Sequence, residues 1–564
     1  MIRDQLTRTF GWLVDDSMFN MSTFMSPEFK NEMPLSSFAF SFPGYSSKRC
    51  KYRRDDELTA ILEDLGVDTS VLFESFGVVP PHEYMAYRDF AKYYAHVYPS
   101  AGMSLDWDLA KMWLRRDMTC CTNSRILSFA EVKEYVSRST SSTAFFNKTP
   151  FNKKGLLFDH PDFEASYYQF VGLILDREDI FIASTAGLKI EVRPAEKIAV
   201  GKARAFVVSP VYLLILDHQL NLNLAQQYFQ GWHAHQIGIG MSLFFGDYSM
   251  KLKSFIEPVA CRDPCYGGLD VSGWDKGVQF FEAAHHIDVV NTFYQRYVQK
   301  SNFIPGADGL VDTWALRHQV TLMILDCPVI MARGEVAVGR RQGELSGEPR
   351  TPDRNTMIHK LRTFCVAIHY GYDYDTFKKC NRIDHTGDDV MFHGSKSFFT
   401  VLLRAYTDFF GYKVESFTCE DWRELDYLST TPKMVEFHGR EFIVPLVSPL
   451  KLFASLCLKR SDDDHLVQLQ RLASVRILCF WDAESRDLSR AALDSYIRIH
   501  RDEIIARGYA PSAYQWPDEQ IEHFYLYQPE SVFVFSDDGR VDLVEFLRSF
   551  PVELKVLPES FVHE

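Results

Sequence analysis

The sequence is poor in ordered cysteine, in long apolar runs and in basic excess, and each shortage excludes something. Eleven cysteines are scattered through 564 residues. The Cys120-Cys121 pair and the Cys261/Cys265 spacing match neither a disulfide framework nor the paired spacing of a zinc site, and such scatter fits a reducing compartment. No stretch approaches the roughly 20 apolar residues of a membrane-spanning helix; residues 211–216 are among the longest apolar runs. Residues 1–20 carry Arg3, Asp4, Arg8, Asp15 and Asp16, so no secretory signal is expected and the protein should be soluble. Internal repeats and low-complexity linkers are missing, which removes collagen-like and disordered classes. Basic residues are outnumbered, 61 Lys and Arg against 75 Asp and Glu, for a net charge of −14. That balance opposes phosphate binding over the whole surface, yet it leaves room for a local basic channel.

What is present is core material. Phenylalanine is abundant at 45 residues against 30 glycines, and aromatics dominate buried area. Single cores stop growing at roughly 250–300 residues, so several subdomains are expected. A basic cluster stands at Lys48, Arg49, Lys51, Arg53 and Arg54. Residues 55–140 read as mainly helical, for example residues 106–118, and residues 137–142 as a Ser/Thr loop. A polar segment with Lys148, Lys153 and Lys154 follows. Over residues 189–216 polar side chains alternate with Ile190, Val192, Ile198 and Val200 before the apolar run 205–208, which predicts strands with basic side chains on one face. Residues 276–300 and 355–370 read as helices, residues 383–392 as a hairpin, and residues 464–480 and 489–505 as helices of a C-terminal helical unit.

Four segments carry chemistry. In the first, Asp270 ends a short predicted strand and Asp275 follows a turn at Gly273. Carboxylates on a rigid support suit a hard cation, although aspartates are also ordinary turn residues. In the second, Ser346-Gly347 predicts a flexible loop, and Thr351-Pro352 predicts a helix N-cap with proline at the first helical position. Met357, Ile358, Leu361, Phe364, Cys365 and Ile368 then fall on one helical face. A well-capped amphipathic helix accounts for these positions, but gives no reason for Ser346, Asn355 and Thr356. In the third, His385-Thr-Gly-Asp-Asp389 sits at a predicted hairpin tip with Gly387 in the turn. Adjacent carboxylates there repel unless a cation bridges them. Gly-Asp-Asp alone is weak, since chance supplies it in roughly one chain in ten of this length. The fourth places Lys189, Arg193, Lys197, Lys202 and Arg204 within sixteen residues, a set suited to a triphosphate or to a solvated basic hairpin.

In order along the chain these segments resemble motifs F, A, B and C of the RNA-dependent RNA polymerases of positive-strand RNA viruses: K-x-E-x-R then G-K-x-R, D-x4-D, S-G-x3-T-x3-N and G-D-D. The joint match spans residues 189–429, under half of the chain. The resemblance implies an α+β right-hand fold with an antiparallel palm sheet and a helical thumb. It divides the chain into an N-terminal extension with fingers (1–140), fingers with a basic nucleotide channel (141–268), a palm with an inserted fingers segment (269–430) and a mainly helical thumb (431–564). It implies that Asp270, Asp388 and Asp389 bind catalytic Mg²⁺, with Mn²⁺ as a substitute. Asp275, Ser346, Thr351 and Asn355 would sense the ribose 2′-hydroxyl, and Lys189, Arg193, Lys197, Lys202 and Arg204 would hold the triphosphate. Residues 425–429 resemble motif E, the primer grip, with Leu428 and Ser429 at its turn.

Some features depart from the pattern. Residues 409–415 resemble motif D, but its general-acid lysine is missing at the usual distance from Gly411, and Lys413 comes too early. Thr386 stands where picornaviruses carry Tyr, and residues 137–150 give no clean motif G. His233/His235 and His285/His286 read as surface or core histidines rather than ligands. Partners implied are an RNA template and nascent strand, nucleoside triphosphates, a protein primer and other viral replication proteins. The implied location is the host cytoplasm at membrane-associated replication complexes, or the virion. Picorna-like, astro-like and sobemo-like lineages all fit. Two alternatives share the palm: a reverse transcriptase, which Asp275 with Asn355 opposes, and a non-catalytic RNA-binding scaffold, against which all three metal-site carboxylates stand.

Overall fold

A computed structural model describes residues 38–41, 52–78, 83–95, 99–142, 151–189, 191–200, 204–340, 342–460 and 463–526. Lys202, Lys148 and Ile190, together with the basic residues 48, 49 and 51, lie outside that set.

At the centre is a four-stranded antiparallel sheet. Its order is Asn381–Thr386, Asp389–Ser395, Pro264–Ser272 and Lys413–Cys419. The first two strands form the expected hairpin, paired from Asn381↔Gly394 to Thr386↔Asp389. One face of the sheet is backed by the helices Thr351–His369 and Lys396–Asp408, whose Leu361, Phe364, Phe398 and Leu402 share a core with Leu269, Ile383 and Phe392. Trp107–Asp117 packs into the same core through Trp113 and Leu114, which bears out the helix expected there. Asp106 caps it by accepting from the Leu109 amide.

The helix Thr351–His369 was expected to bury one face. It is instead buried from Asp353 through Ala367. Its charged residues survive burial because each is paired: Arg362 forks onto Glu282 at 2.7 and 2.5 Å, Arg354 meets Glu344 at 3.2 Å, Lys360 meets Asp117, and Asp353 meets Arg350. A buried charge without a partner would cost several kcal/mol. The helix also starts one residue early. Arg350 is its N-cap, in the left-handed region at φ 65°, and Thr351 is the first helical residue.

A second, mixed sheet has the order Phe38–Ser41, Glu335–Ala337, Val329–Ile330, Ser184–Lys189 and Arg204–Val208. The strands predicted across 189–216 are therefore only partly present. Ile198 lies in a short helix, Ala195–Ala199, and residues 211–216 open the 20-residue helix Val211–Gln230. Short apolar runs do not distinguish strand from helix, and Pro210 supplies the helix start. The helix expected over 276–300 is likewise divided into Trp274–Gly277, Phe280–Asn291 and a strand, Tyr297–Gln299.

Residues beyond 430 form a hairpin, Thr430–Phe437 with Arg440–Val447, and then the helices His465–Leu478 and Ala483–Ala506. The segment before 140 does not pack as one body. Leu58, Ile61 and Leu62 join a core with Leu469, Leu493 and Tyr496. Tyr87 and Phe90 pack on Ala205 and Val207, and Phe129 and Val132 pack with Tyr167 and Leu216.

Candidate active site

The strand Pro264–Ser272 sets the site. Asp270 is directly opposite Asp389 on one side and Glu415 on the other. Directly opposed residues project from the same face of a sheet, with Cβ atoms about 4.5–5.5 Å apart. Two residues, Gly387 and Asp388, close the hairpin between Thr386 and Asp389, and Gly387 leads that turn at φ 63°, where a side chain would be strained. Asp270, Asp388 and Asp389 are thus close enough to act on one another's charge, with Glu415 on the same face of the sheet. Burial raises Asp388 above the usual carboxylate range, and the charges of Asp270 and Asp275 add to it. Asp389 is pushed up to about 7 by burial, then by Asp388, Asp270 and Asp426. Arg204 is the cation that draws both back down. The donor set is all oxygen, on two paired strands and a two-residue turn, and its self-repulsion is the condition a divalent cation relieves. By donor type the residues present fit a magnesium-type ion.

Asp275 is fixed through its neighbour. Trp274 is buried, stacked on His359 with ring centroids 4.4 Å apart and covered by Arg362 at 4.3 Å. The Asp275 carboxylate then accepts from the Tyr93 hydroxyl at 2.9 Å and from Lys276 at 2.9 and 3.0 Å. Sequence reasoning missed both partners. Lys276 was adjacent and readable; Tyr93 is 182 residues away and carried no signal.

The loop before the helix Thr351–His369 ties three motifs together. The Glu344 amide donates to the Asp275 carbonyl at 2.7 Å, and the Val207 amide donates to the Ser346 carbonyl at 2.8 Å. Ser209 donates to the Gly347 carbonyl at 3.1 Å. Gly347 is at φ 93°, and a Cβ there would lie 2.1 Å from the Val207 carbonyl oxygen. The loop read as flexible is therefore pinned, and its glycine is required by close approach. Ser346 is exposed. Thr351 spends its hydroxyl on the loop, donating to Glu348 O at 2.9 Å and Leu345 O at 3.3 Å. Asn355 is 8% exposed, and its Oδ1 has no hydrogen-bond partner. One residue on, the Thr356 hydroxyl accepts from the Gly387 amide at 2.9 Å, while His359 Nδ1 lies 2.9 Å from the Gly387 carbonyl. This joins the helix to the Asp388 turn.

Of the basic set, Lys189 and Arg204 are paired across neighbouring strands and both are exposed. Lys197 is exposed on its short helix. Arg193 departs from the expectation. It is 7% exposed and forks onto Glu191 at 2.7 and 2.8 Å, on a strand paired with Phe76–Val78. Its guanidinium is committed inward, so a triphosphate contact is not what its conformation offers.

Leu428 and Ser429 form a two-residue turn at φ 54° and 59°, closed by reciprocal bonds of 3.0 Å between Tyr427 and Thr430. Tyr427 reaches under the acidic hairpin and donates to Asp384 at 2.5 Å, with the Thr386 hydroxyl 2.7 Å from its oxygen. Thr386 also accepts from the Gly238 amide at 3.0 Å. The departure at Thr386 thus has a structural role. Lys413 is exposed opposite Ser272, two residues from Glu415 and on the same sheet face as Asp270. Of the histidines set aside, His235 is buried and accepts from the Cys120 amide at 3.3 Å. His285 stacks on Trp107.

Acids on an antiparallel palm, an anchored second aspartate and a basic strand pair define the class as a right-hand polymerase. Residues 182–446 match the family model described as viral RNA-dependent RNA polymerase. Residues 182–446 carry that polymerase unit, and the chain is an RNA-directed RNA polymerase. Among solved structures it is similar to a sicinivirus 3Dpol RNA dependent RNA polymerase, with a TM-score of 0.61 at 14% identity, covering 82% of this chain and 97% of that one. No curated protein sequence matches it. The family implies RNA and nucleoside triphosphate binding and the use of divalent metal ions. Among the described residues no helix is long and apolar enough to cross a membrane.

Proposed function

We propose that this enzyme replicates and transcribes a viral RNA genome by two-metal nucleotidyl transfer. The observation that carries the reading is the pairing of Asp270 with Asp389 beside the Asp388 turn, with Asp389 pushed up to about 7 and Arg204 the basic group that opposes the rise. A bound pair of Mg²⁺ ions, or Mn²⁺ in their place, supplies activation of the primer 3′-hydroxyl and charge neutralisation on the leaving pyrophosphate. Asp270 and Asp388 hold the cations and Asp389 assists. Arg204 and Lys189, with Lys197 and Lys202, orient the triphosphate. Asp275, kept in place by Tyr93 and Lys276, and Asn355, with its open acceptor, test the ribose 2′-hydroxyl. Ser346 borders that pocket, and Thr351 holds its loop. The turn at Leu428 and Ser429 supports the primer strand, and Lys413 is the candidate to protonate pyrophosphate. The division into fingers, palm and thumb at 140, 268 and 430 belongs to the same reading. So do a protein primer, other viral replication proteins, and a location at membrane-associated replication complexes in the host cytoplasm or in the virion.

Primer extension on a defined RNA template with Mg²⁺ tests it. Asp388→Asn should lower the extension rate about 10²–10³-fold or more. Its melting temperature in EDTA should not fall, because one charge leaves a repelling cluster. A wild-type protein that binds RNA and never extends it would instead support the scaffold reading.

A further inference from the structure

Outside the palm core, where residues just after position 50 meet the C-terminal helices, one cluster is left unused by polymerisation. Glu57, His465 and His500 offer ligand atoms that all lie within 4.8 Å of one another. We propose that these three residues form a second metal site, for Zn²⁺ or a similar borderline-soft divalent ion, that clamps the segment after residue 50 onto the C-terminal helices.

Three elements deliver the ligands. Glu57 is in the first turn of the helix Asp56–Asp64. His465 is the first residue of the helix His465–Leu478, and His500 lies late in Ala483–Ala506. The two imidazoles lie nearly face to face, with centroids 4.0 Å apart and planes 31° apart. His500 Nε2 is 2.8 Å from Glu57 Oε1, and His465 Nδ1 is 3.9 Å from Glu57 Oε2. The opposite ring nitrogens, His500 Nδ1 and His465 Nε2, face Glu503 Oε2 at 3.8 and 4.0 Å.

His500 turns Nε2 to the shared carboxylate, while His465 Nδ1 is held by the Tyr496 hydroxyl at 3.1 Å, a bond that an ion would replace as the two rings swing apart to face it. Glu503 is the nearest outer carboxylate to the other two ring nitrogens, where a ligating pair takes its outer partner. Glu503 is itself oriented by Arg507, at 2.8 Å. Ligands at about 2.0–2.1 Å from a tetrahedral ion stand a little over 3 Å apart, so the His500–Glu57 contact need open only slightly. Two imidazoles and one carboxylate suit zinc better than magnesium. The Glu57 and His465 side chains are 33% and 41% exposed, which leaves a fourth position for water.

The backbone around the cluster is already assembled. Tyr52–Arg54 pairs with Leu458–Arg460, and Asp55 meets Lys459 at 2.9 Å. The same segment continues to Phe76–Val78, which pairs with the strand carrying Arg193. A metal that fixes Glu57 across 443 residues to His500 therefore also steadies one end of the basic segment.

The test uses the full chain, stripped with EDTA and dialysed, with Zn²⁺ uptake measured in excess Mg²⁺. The excess Mg²⁺ occupies the palm acids, and an Asp388→Asn background weakens any Zn²⁺ binding there. Zn²⁺ should bind stoichiometrically and raise the melting temperature. His465→Ala and Glu57→Gln should each weaken uptake by about a hundredfold, since even outer partners of a ligand are worth roughly 10–100-fold. Co²⁺ should give the intense visible absorption of a four-coordinate site in the parent and not in His465→Ala. If either variant fails to fold, the parent's Co²⁺ spectrum and Zn²⁺ stoichiometry still decide. No uptake by the parent, a six-coordinate Co²⁺ spectrum, or uptake unchanged in both variants would overturn the site.

Discussion

Asn355 holds a buried amide oxygen with no donor. An unmet acceptor of this kind costs about 1–3 kcal/mol, and a ribose hydroxyl is a donor of the right size. Asn355→Ala should therefore cut discrimination against deoxynucleotides by about 10–100-fold, read as competing incorporation on one template, without lowering the melting temperature. Gly347 presents the opposite case, a residue chosen for what it lacks. Its φ is 93°, and any Cβ at this position would meet the Val207 oxygen at 2.1 Å, so Gly347→Ala should displace the loop from the basic strand. Backbone strain alone is worth about 1–3 kcal/mol there, so a lower melting temperature and severely reduced extension are expected together. The identities of Asp270, Asp275, Asn355 and Gly347 were all legible in the sequence. The partners that aim Asp275 were not, because Tyr93 reaches it only through the packing of Tyr87 and Phe90 on the strand Arg204–Val208.

The hairpin turn at Leu428 and Ser429 is built from residues its geometry disfavours. Two-residue turns with positive φ at both centres prefer Asn-Gly, and here φ is 54° and 59° on Leu and Ser. Leu428 gains by packing beside Leu425 and Tyr427, whereas Ser429 offers only its hydroxyl and backbone. Ser429→Gly should stabilise the protein by about 1 kcal/mol, seen as a higher melting temperature. If the turn supports the primer, the same variant should raise KM for primer-template more than it changes kcat. The helices Trp107–Asp117, Thr351–His369, His465–Leu478 and Ala483–Ala506 were readable as helices. The stretch 189–216 was not, since a short apolar run has no period that separates strand from helix, and the proline at 210 decided it.

For the molecule as a whole, a net charge of −14 coexists with an exposed Lys189, Lys197 and Arg204, of which Arg204 acts on the palm acids. Each single-strand phosphate contact adds roughly 0.7 to the slope of log affinity against log salt. RNA affinity should therefore fall steeply with salt, and Lys197→Ala with Arg204→Ala should shallow that slope by about 1.4. An unchanged slope would move the RNA path elsewhere. Chain order misleads at this scale. The residues before 140 are shared among separate cores, one of them built with helices beyond 450.

The sequence by itself determined the chemistry: which carboxylates, amide and basic groups exist, in which order, and on what turns they ride. Those follow from local rules of turn, cap and period. Only the tertiary structure decided which groups meet. Strand register set Asp389 and Glu415 against Asp270, burial turned Arg193 inward onto Glu191, and packing brought Glu57 to His500. The reason is that a side chain's partners and its exposure to water depend on contacts between segments far apart in the chain.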